Sequence, residues 1–139
     1  MVNLICGQNG SGKTQKLINC ANGELENAKG LMVYIDKYDK YRLSVAAQIR
    51  FIDGNDFDEK SVGFFYGLLS GLVAGNYDIN RIFVDNITTI SGVKNSDELK
   101  VLLDKIQCLS NTSEVNFVIT LNSPDVENID LSGFECCQI

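Results

Sequence analysis

Apolar residues follow two rhythms along this chain. Short, mostly apolar runs at 2–6, 31–35, 81–85 and 116–121 stop at glycine, acidic or polar residues, the pattern of strands buried on both faces. A shorter run at 133–137 predicts a fifth strand. Between these runs, apolar residues recur three and four places apart, as on one face of a helix. Residues 13–21 put Leu17, Ile18 and Ala21 on one face and end at Asn22-Gly23. Leu43, Ala46, Ala47 and Arg50 predict a helix over 41–50, followed by an acidic loop at 53–59. Residues 61–74 predict a strongly apolar helix that ends at Gly75-Asn76. Val62, Phe65, Leu69, Leu72 and Val73 form its inward stripe, widened by Phe64 and Leu68. After a loop at 91–96, Ser96 is the expected N-cap, with Asp97 and Glu98 in the first turn. Leu99, Leu102, Leu103 and Ile106 then mark another helical stripe.

Strands alternating with helices predict an α/β fold: a three-layer sandwich with a mostly parallel, five-stranded sheet and helices on both faces. A chain of 139 residues fits one such domain, 1–139. In sheets of this kind, ligands sit at the carboxyl ends of the strands.

The net charge of −6 argues against tight, non-specific binding to nucleic acid or to an anionic membrane. Lys37, Lys40 and Arg42 stand among Tyr34, Tyr38 and Tyr41, the one basic and aromatic stretch; a solvated loop and helix start is its plainer reading. The five cysteines, Cys6, Cys20, Cys108, Cys136 and Cys137, form no CxxC pair, and histidine is absent, so a zinc site is not expected. Buried, reduced cysteines in a cytoplasmic protein are expected instead. The first residues lack a signal-peptide pattern, and the apolar stretch at 62–73 is too short to span a bilayer.

Gly7-Gln8-Asn9-Gly10-Ser11-Gly12-Lys13-Thr14 matches G-x-x-x-x-G-K-[ST] between a predicted strand and a predicted helix. Glycines let the backbone bend and bring N–H groups close to phosphate oxygens, and the helix presents its positive end to the same phosphates. Lys13 supplies a point charge between the β and γ phosphates, and Thr14 a hydroxyl ligand for Mg²⁺. Ile82-Phe83-Val84-Asp85 is an apolar strand ending in aspartate, the Walker B pattern, whose carboxylate holds the magnesium hydration shell. The expected ligand is ATP with Mg²⁺. GTP is disfavoured because no N/T-K-x-D guanine-reading motif is present. Tyrosines near 38–41 offer faces on which a base can stack.

Three segments in order resemble the RecA-like branch of P-loop NTPases. They are the loop Gly7 to Thr14, the run Leu31-Met32-Val33-Tyr34-Ile35-Asp36, and Arg81-Ile82-Phe83-Val84-Asp85-Asn86-Ile87-Thr88-Thr89-Ile90. With the strand ending at Thr120 and Asn122, the resemblance covers most of the chain. It implies strand order 5-1-4-3-2 and a polar sensor at Asn122 for the γ phosphate or the attacking water. Many P-loop ATPases carry glutamate directly after the Walker B aspartate; here Asn86 stands there, and an amide takes no proton at neutral pH. RecA-like enzymes often carry a catalytic glutamate after the second strand; here Asp36 and Asp39 are offered instead, Asp36 being the water-orienting candidate at the strand end. The resemblance also implies an arginine finger from a neighbouring subunit or partner protein. Only Arg42, Arg50 and Arg81 are present, with Arg42 and Arg50 expected on one helix.

The expected function is therefore a Mg-dependent RecA-like ATPase or ATP-dependent switch with slow hydrolysis. Two alternatives stand beside it. One is a regulatory module that binds nucleotide without hydrolysing it. The other is a small-molecule kinase in which Asp36 binds the acceptor hydroxyl.

Overall fold

The computed structural model describes every residue, Met1–Ile139. Six strands form one sheet: β1 (Val2–Gly7), β2 (Leu31–Asp36), β3 (Arg50–Asp53), β4 (Ile79–Val84), β5 (Asn116–Asn122) and β6 (Glu135–Gln138). Every pairing is parallel, and the order is β3-β2-β4-β5-β1-β6. This corrects the expected five strands in the order 5-1-4-3-2. The added strand is β3, at the edge beside β2, and the other five lie as β6-β1-β5-β4-β2.

The same segment overturns the expected helix over 41–50. Only a single 3₁₀ turn, Arg42–Ser44, forms there. Leu43, counted in the expected stripe, is 99% exposed, whereas Val45 and Ile49 are buried. The chain runs on from them into β3, where Phe51 stacks on Tyr34 with ring centroids 5.6 Å apart. The spacing of Leu43, Ala46 and Ala47 fits a helix, but two alanines offer too little apolar area to hold one on the sheet.

Alternation along the strands divides the core into two layers. Ile5, Met32, Tyr34, Phe83 and Val118 face Leu17, Ile18 and Ala21 of α1 (Lys13–Gly23). Leu4, Cys6, Val33, Ile35, Ile82, Val84 and Phe117 face the opposite layer. That layer is built on Phe65 and Leu69 of α2 (Val62–Gly75) and on Leu99, Leu102, Leu103 and Ile106 of α4 (Ser96–Ser113). Fully burying one such side chain contributes about 1.5–3 kcal/mol, so both layers hold the sheet firmly.

Helix ends follow the local chemistry. Ser61 caps α2 by accepting the Phe64 N–H at 3.1 Å. The cap of α4 is Asn95 rather than the expected Ser96: its Oδ1 accepts the Glu98 N–H at 2.9 Å, and Glu98 reaches back to the Lys94 N–H at 2.7 Å. Two short helices complete the chain, α3 (Ile87–Ser91) after β4 and α5 (Ser123–Val126) after β5. No helix is long and apolar enough to cross a membrane. All five cysteines are free, but only Cys6 is buried; Cys108, Cys136 and Cys137 are exposed, which corrects the expected burial. Cys136 and Cys137 lie on β6, an edge strand whose four residues are all exposed.

Candidate functional site

The loop between β1 and α1 takes its shape from glycine. Gly10 and Gly12 hold φ of 78° and 95°, left-handed values that glycine adopts without a Cβ penalty. Gly12 is also the N-cap of α1, and no side chain caps that helix, so its first N–H groups stay available. At Gly7 a Cβ would stand 2.6 Å from Ser11 Oγ and 3.0 Å from the Ile139 carbonyl, so a side chain there would force Ser11 to turn away and crowd Ile139. Lys13 Nζ donates to the Gln8 carbonyl at 2.8 Å, folding the ammonium back over the loop.

Sheet register brings the other groups to this end. Val84 lies beside Ile119 and Ile35 beside Val84, so Asp85, Thr120 and Asp36 follow on three neighbouring strands. Gly7 lies beside Asn122. Alternation from Tyr34 and Phe83 puts Asp36 and Asp85 on the α1 face, the face that carries the loop.

Asp85 is 1% exposed and is gripped from both sides. Thr14 Oγ1 donates to its Oδ2 at 2.7 Å, and Thr120 Oγ1 makes a very short bond to its Oδ1. Asn86 follows in a left-handed conformation, φ 59°. Its N–H donates to Thr120 Oγ1 and its Nδ2 to Asp36 Oδ1, both at 3.2 Å. Asp36 Oδ1 also accepts the Tyr38 N–H at 3.4 Å. Burial, and then the nearby charge of Asp85, push the Asp36 carboxyl up from 3.8 to about 6, against the pull of these donors.

The groups converge on a cleft of about 350 Å³ lined by Asn9, Gly10, Gly12, Lys13, Thr14, Gln15, Tyr41, Asp85, Asn86 and Asn122. Asp36 does not line it: it is 1% exposed and meets the cleft only through the Asn86 amide. Tyr41, one of the tyrosines near 38–41 expected to offer a stacking face, lines the cleft, whereas Gln15 was not marked by the sequence, since nothing in a helix glutamine shows its neighbours in space. Thr120 was visible only as a polar residue in an apolar run, and its bond to Asp85 depends on register between β4 and β5. The arginines lie elsewhere. Arg42 stacks 4.8 Å over the Phe51 ring, Arg50 belongs to β3 and not to a helix shared with Arg42, and Arg81 pairs with Glu24.

The oxygens present fit a hard divalent cation. Thr14 gives its hydroxyl hydrogen to Asp85, so its lone pairs remain for a metal. No group of three His, Cys, Asp or Glu side chains gathers anywhere in the chain. A cation here would rest on two side-chain oxygens and complete its shell from water and phosphate, the manner in which Mg²⁺ is held.

No protein-family model and no curated protein sequence matches the chain. A similar solved structure is that of the flagellar accessory protein FlaH from Methanocaldococcus jannaschii, with a TM-score of 0.59 and 18% identity. The match covers 94% of this chain and 65% of FlaH, so the chain spans about two thirds of that protein's length. At this identity the likeness carries the fold alone. It supports a RecA-like fold, with the parallel sheet described above.

Proposed function

We propose that this protein binds ATP with Mg²⁺ and acts as a RecA-like ATPase or ATP-dependent switch with slow intrinsic hydrolysis. The observation that carries the reading is the 2.7 Å bond from Thr14 to Asp85, which joins the glycine loop to the end of β4 across 71 residues. The RecA-like fold, and a cleft at the carboxyl ends of the strands, support it further.

In this reading the backbone of Gly7, Gln8, Asn9, Gly10, Ser11 and Gly12 wraps the phosphates, and Lys13 leaves the Gln8 carbonyl to neutralise them. Thr14 and Asp85 hold the metal. When bound, Mg²⁺ would supply positive charge that offsets the charge building on the leaving group. Asn122, beside Gly7 at the end of β5, is the polar group that contacts the γ phosphate. Catalysis then rests on positioning and charge stabilisation. Lys13 is the only cation lining the cleft, so a second one comes from another copy of the chain or from a partner protein.

A second reading, binding without hydrolysis, is favoured by one feature: the residue after Asp85 is an amide, and the carboxylate nearest it is out of the cleft.

Both readings meet one experiment: Mg-ATP binding and phosphate release by the purified protein, beside Lys13→Ala. Magnesium-dependent binding that Lys13→Ala weakens at least ~100-fold, with slow release, supports the ATPase. Binding without release supports the switch, and ADP formation only with an added hydroxyl acceptor, without free phosphate, supports a kinase. If the wild type binds no nucleotide, the proposal fails.

A further inference from the structure

We infer that Asn86, rather than Asp36, meets the attacking water, and that Asp36 is a positioning residue that fixes which end of the Asn86 amide faces the cleft. The inference rests on the ATP-binding reading above and deepens it.

Three observations carry it. First, access separates the two residues: Asn86 lines the cleft, whereas Asp36 is 1% exposed beneath it. Second, the hydrogen bond between them has a direction. A carboxylate oxygen only accepts, so the Asn86 NH₂ must turn toward Asp36 Oδ1 at 3.2 Å. The amide carbonyl is then left on the cleft side as a fixed acceptor for a water hydrogen. Third, Asn86 is pinned in a conformation that most residues avoid. Its φ is 59°, and its N–H is tied to Thr120, whose hydroxyl is in turn tied to Asp85. Asp36 is itself steadied by the Tyr38 N–H. The chain Asp85–Thr120–Asn86–Asp36 thus holds Asn86 at its backbone N–H and at its side-chain NH₂.

The chemistry follows from the group. Water oxygen attacks the γ phosphorus, the bond from that phosphorus to the β–γ bridging oxygen breaks, and ADP leaves. The water proton passes to a phosphate oxygen of the product. Asn86 orients the water through its carbonyl and takes no proton, so release is slow. An aspartate at position 36 serves this geometry, whereas an amide there would present either a donor or an acceptor and leave Asn86 free to flip.

The test is a double-mutant cycle read in single-turnover phosphate release and in Mg-ATP affinity. Asn86→Gly keeps the backbone at positive φ; Asp36→Asn keeps the volume. Each single variant is expected to slow release about tenfold or more while affinity stays within about threefold, and the double variant to be no slower than Asn86→Gly alone. Multiplying effects would make Asp36 an independent base and overturn the inference, as would an unchanged rate in Asn86→Gly.

A second readout needs no turnover. In nucleotide-free protein, NMR should show the Asn86 side-chain NH₂ hydrogens protected from solvent exchange, and Asp36→Asn should remove that protection. Exposed hydrogens in the wild type, or signals indifferent to Asp36→Asn, would overturn the positioning role. Failure of the wild type to bind Mg-ATP, with the amide still protected, would sink the ATP reading instead.

Discussion

At the scale of single residues, the site is a small set of oxygens crowded at the end of a parallel sheet, and its cost is visible at Asp36. In the folded chain this carboxyl holds its proton up to about pH 6, because burial and the charge of Asp85 oppose ionisation. In the unfolded chain it ionises near 3.8. The folded state therefore binds the proton more tightly. The stability linked to that proton is fully present below about pH 4 and is lost as pH rises through about 6. Asp36→Asn removes the ionisable group and should raise the stability of nucleotide-free protein by about 3 kcal/mol at pH 7.5, with the difference vanishing below pH 4. Urea unfolding across this range checks it. A variant equally destabilised at every pH would mean that the carboxylate is held by contacts rather than penalised by burial.

At the scale of elements, α2 is the clearest anomaly. Every exposed residue in it is small: Gly63, Gly67, Gly71, Ala74 and Gly75. A Cβ added at Gly67 or Gly71 would meet nothing within 4 Å. Each glycine within a helix costs about 0.5–1 kcal/mol relative to alanine. Gly67→Ala and Gly71→Ala should thus each raise the urea-unfolding free energy by about that amount, and together by their sum. The opposite holds at Gly30, where a Cβ would come 2.3 Å from the Asp78 carbonyl as β2 begins beside β4. Gly30→Ala should destabilise by about 1–3 kcal/mol.

The contrast shows what local pattern can and cannot carry. Helices α1, α2 and α4 are legible because several large apolar residues repeat on one face. The segment 41–50 is not, because its alanines fit a helix and a loop equally well; the decisive fact, Phe51 stacking on Tyr34, joins residues of different strands. The site divides in the same way. The glycine loop is legible because its chemistry is contiguous, from Gly7 to Thr14. The bonds from Thr120 to Asp85 and from Asn86 to Asp36 span 35 and 50 residues and exist only once β2, β4 and β5 are in register.

At the scale of the whole molecule, the cleft draws on parts that are far apart in the chain. The loop follows β1, Asp85 follows β4, Asn122 ends β5, and Tyr41 comes from the connection between β2 and β3. A ligand that bridges these parts binds the folded chain and not the unfolded one, so occupancy becomes stability. At a hundred times its dissociation constant, such a ligand adds ~2.7 kcal/mol. For 139 residues this corresponds to a rise in Tm of about 9 °C, taking an unfolding entropy of ~2 cal/mol/K per residue. Mg-ATP is expected to give that rise. EDTA should remove most of it under the proposed reading, in which Thr14 and Asp85, joined by their hydrogen bond, hold the cation. Thr120→Val tests how far the framework matters. The variant keeps the shape of the side chain but takes away the donor to Asp85 and the acceptor for the Asn86 N–H. It should lower the Tm of nucleotide-free protein and also shrink the Mg-ATP shift, since Asp85 is no longer held toward Thr14. A Thr120→Val protein that loses stability yet keeps the full Mg-ATP shift would separate the two effects, and would mean that the bond from Thr14 alone holds Asp85 in place.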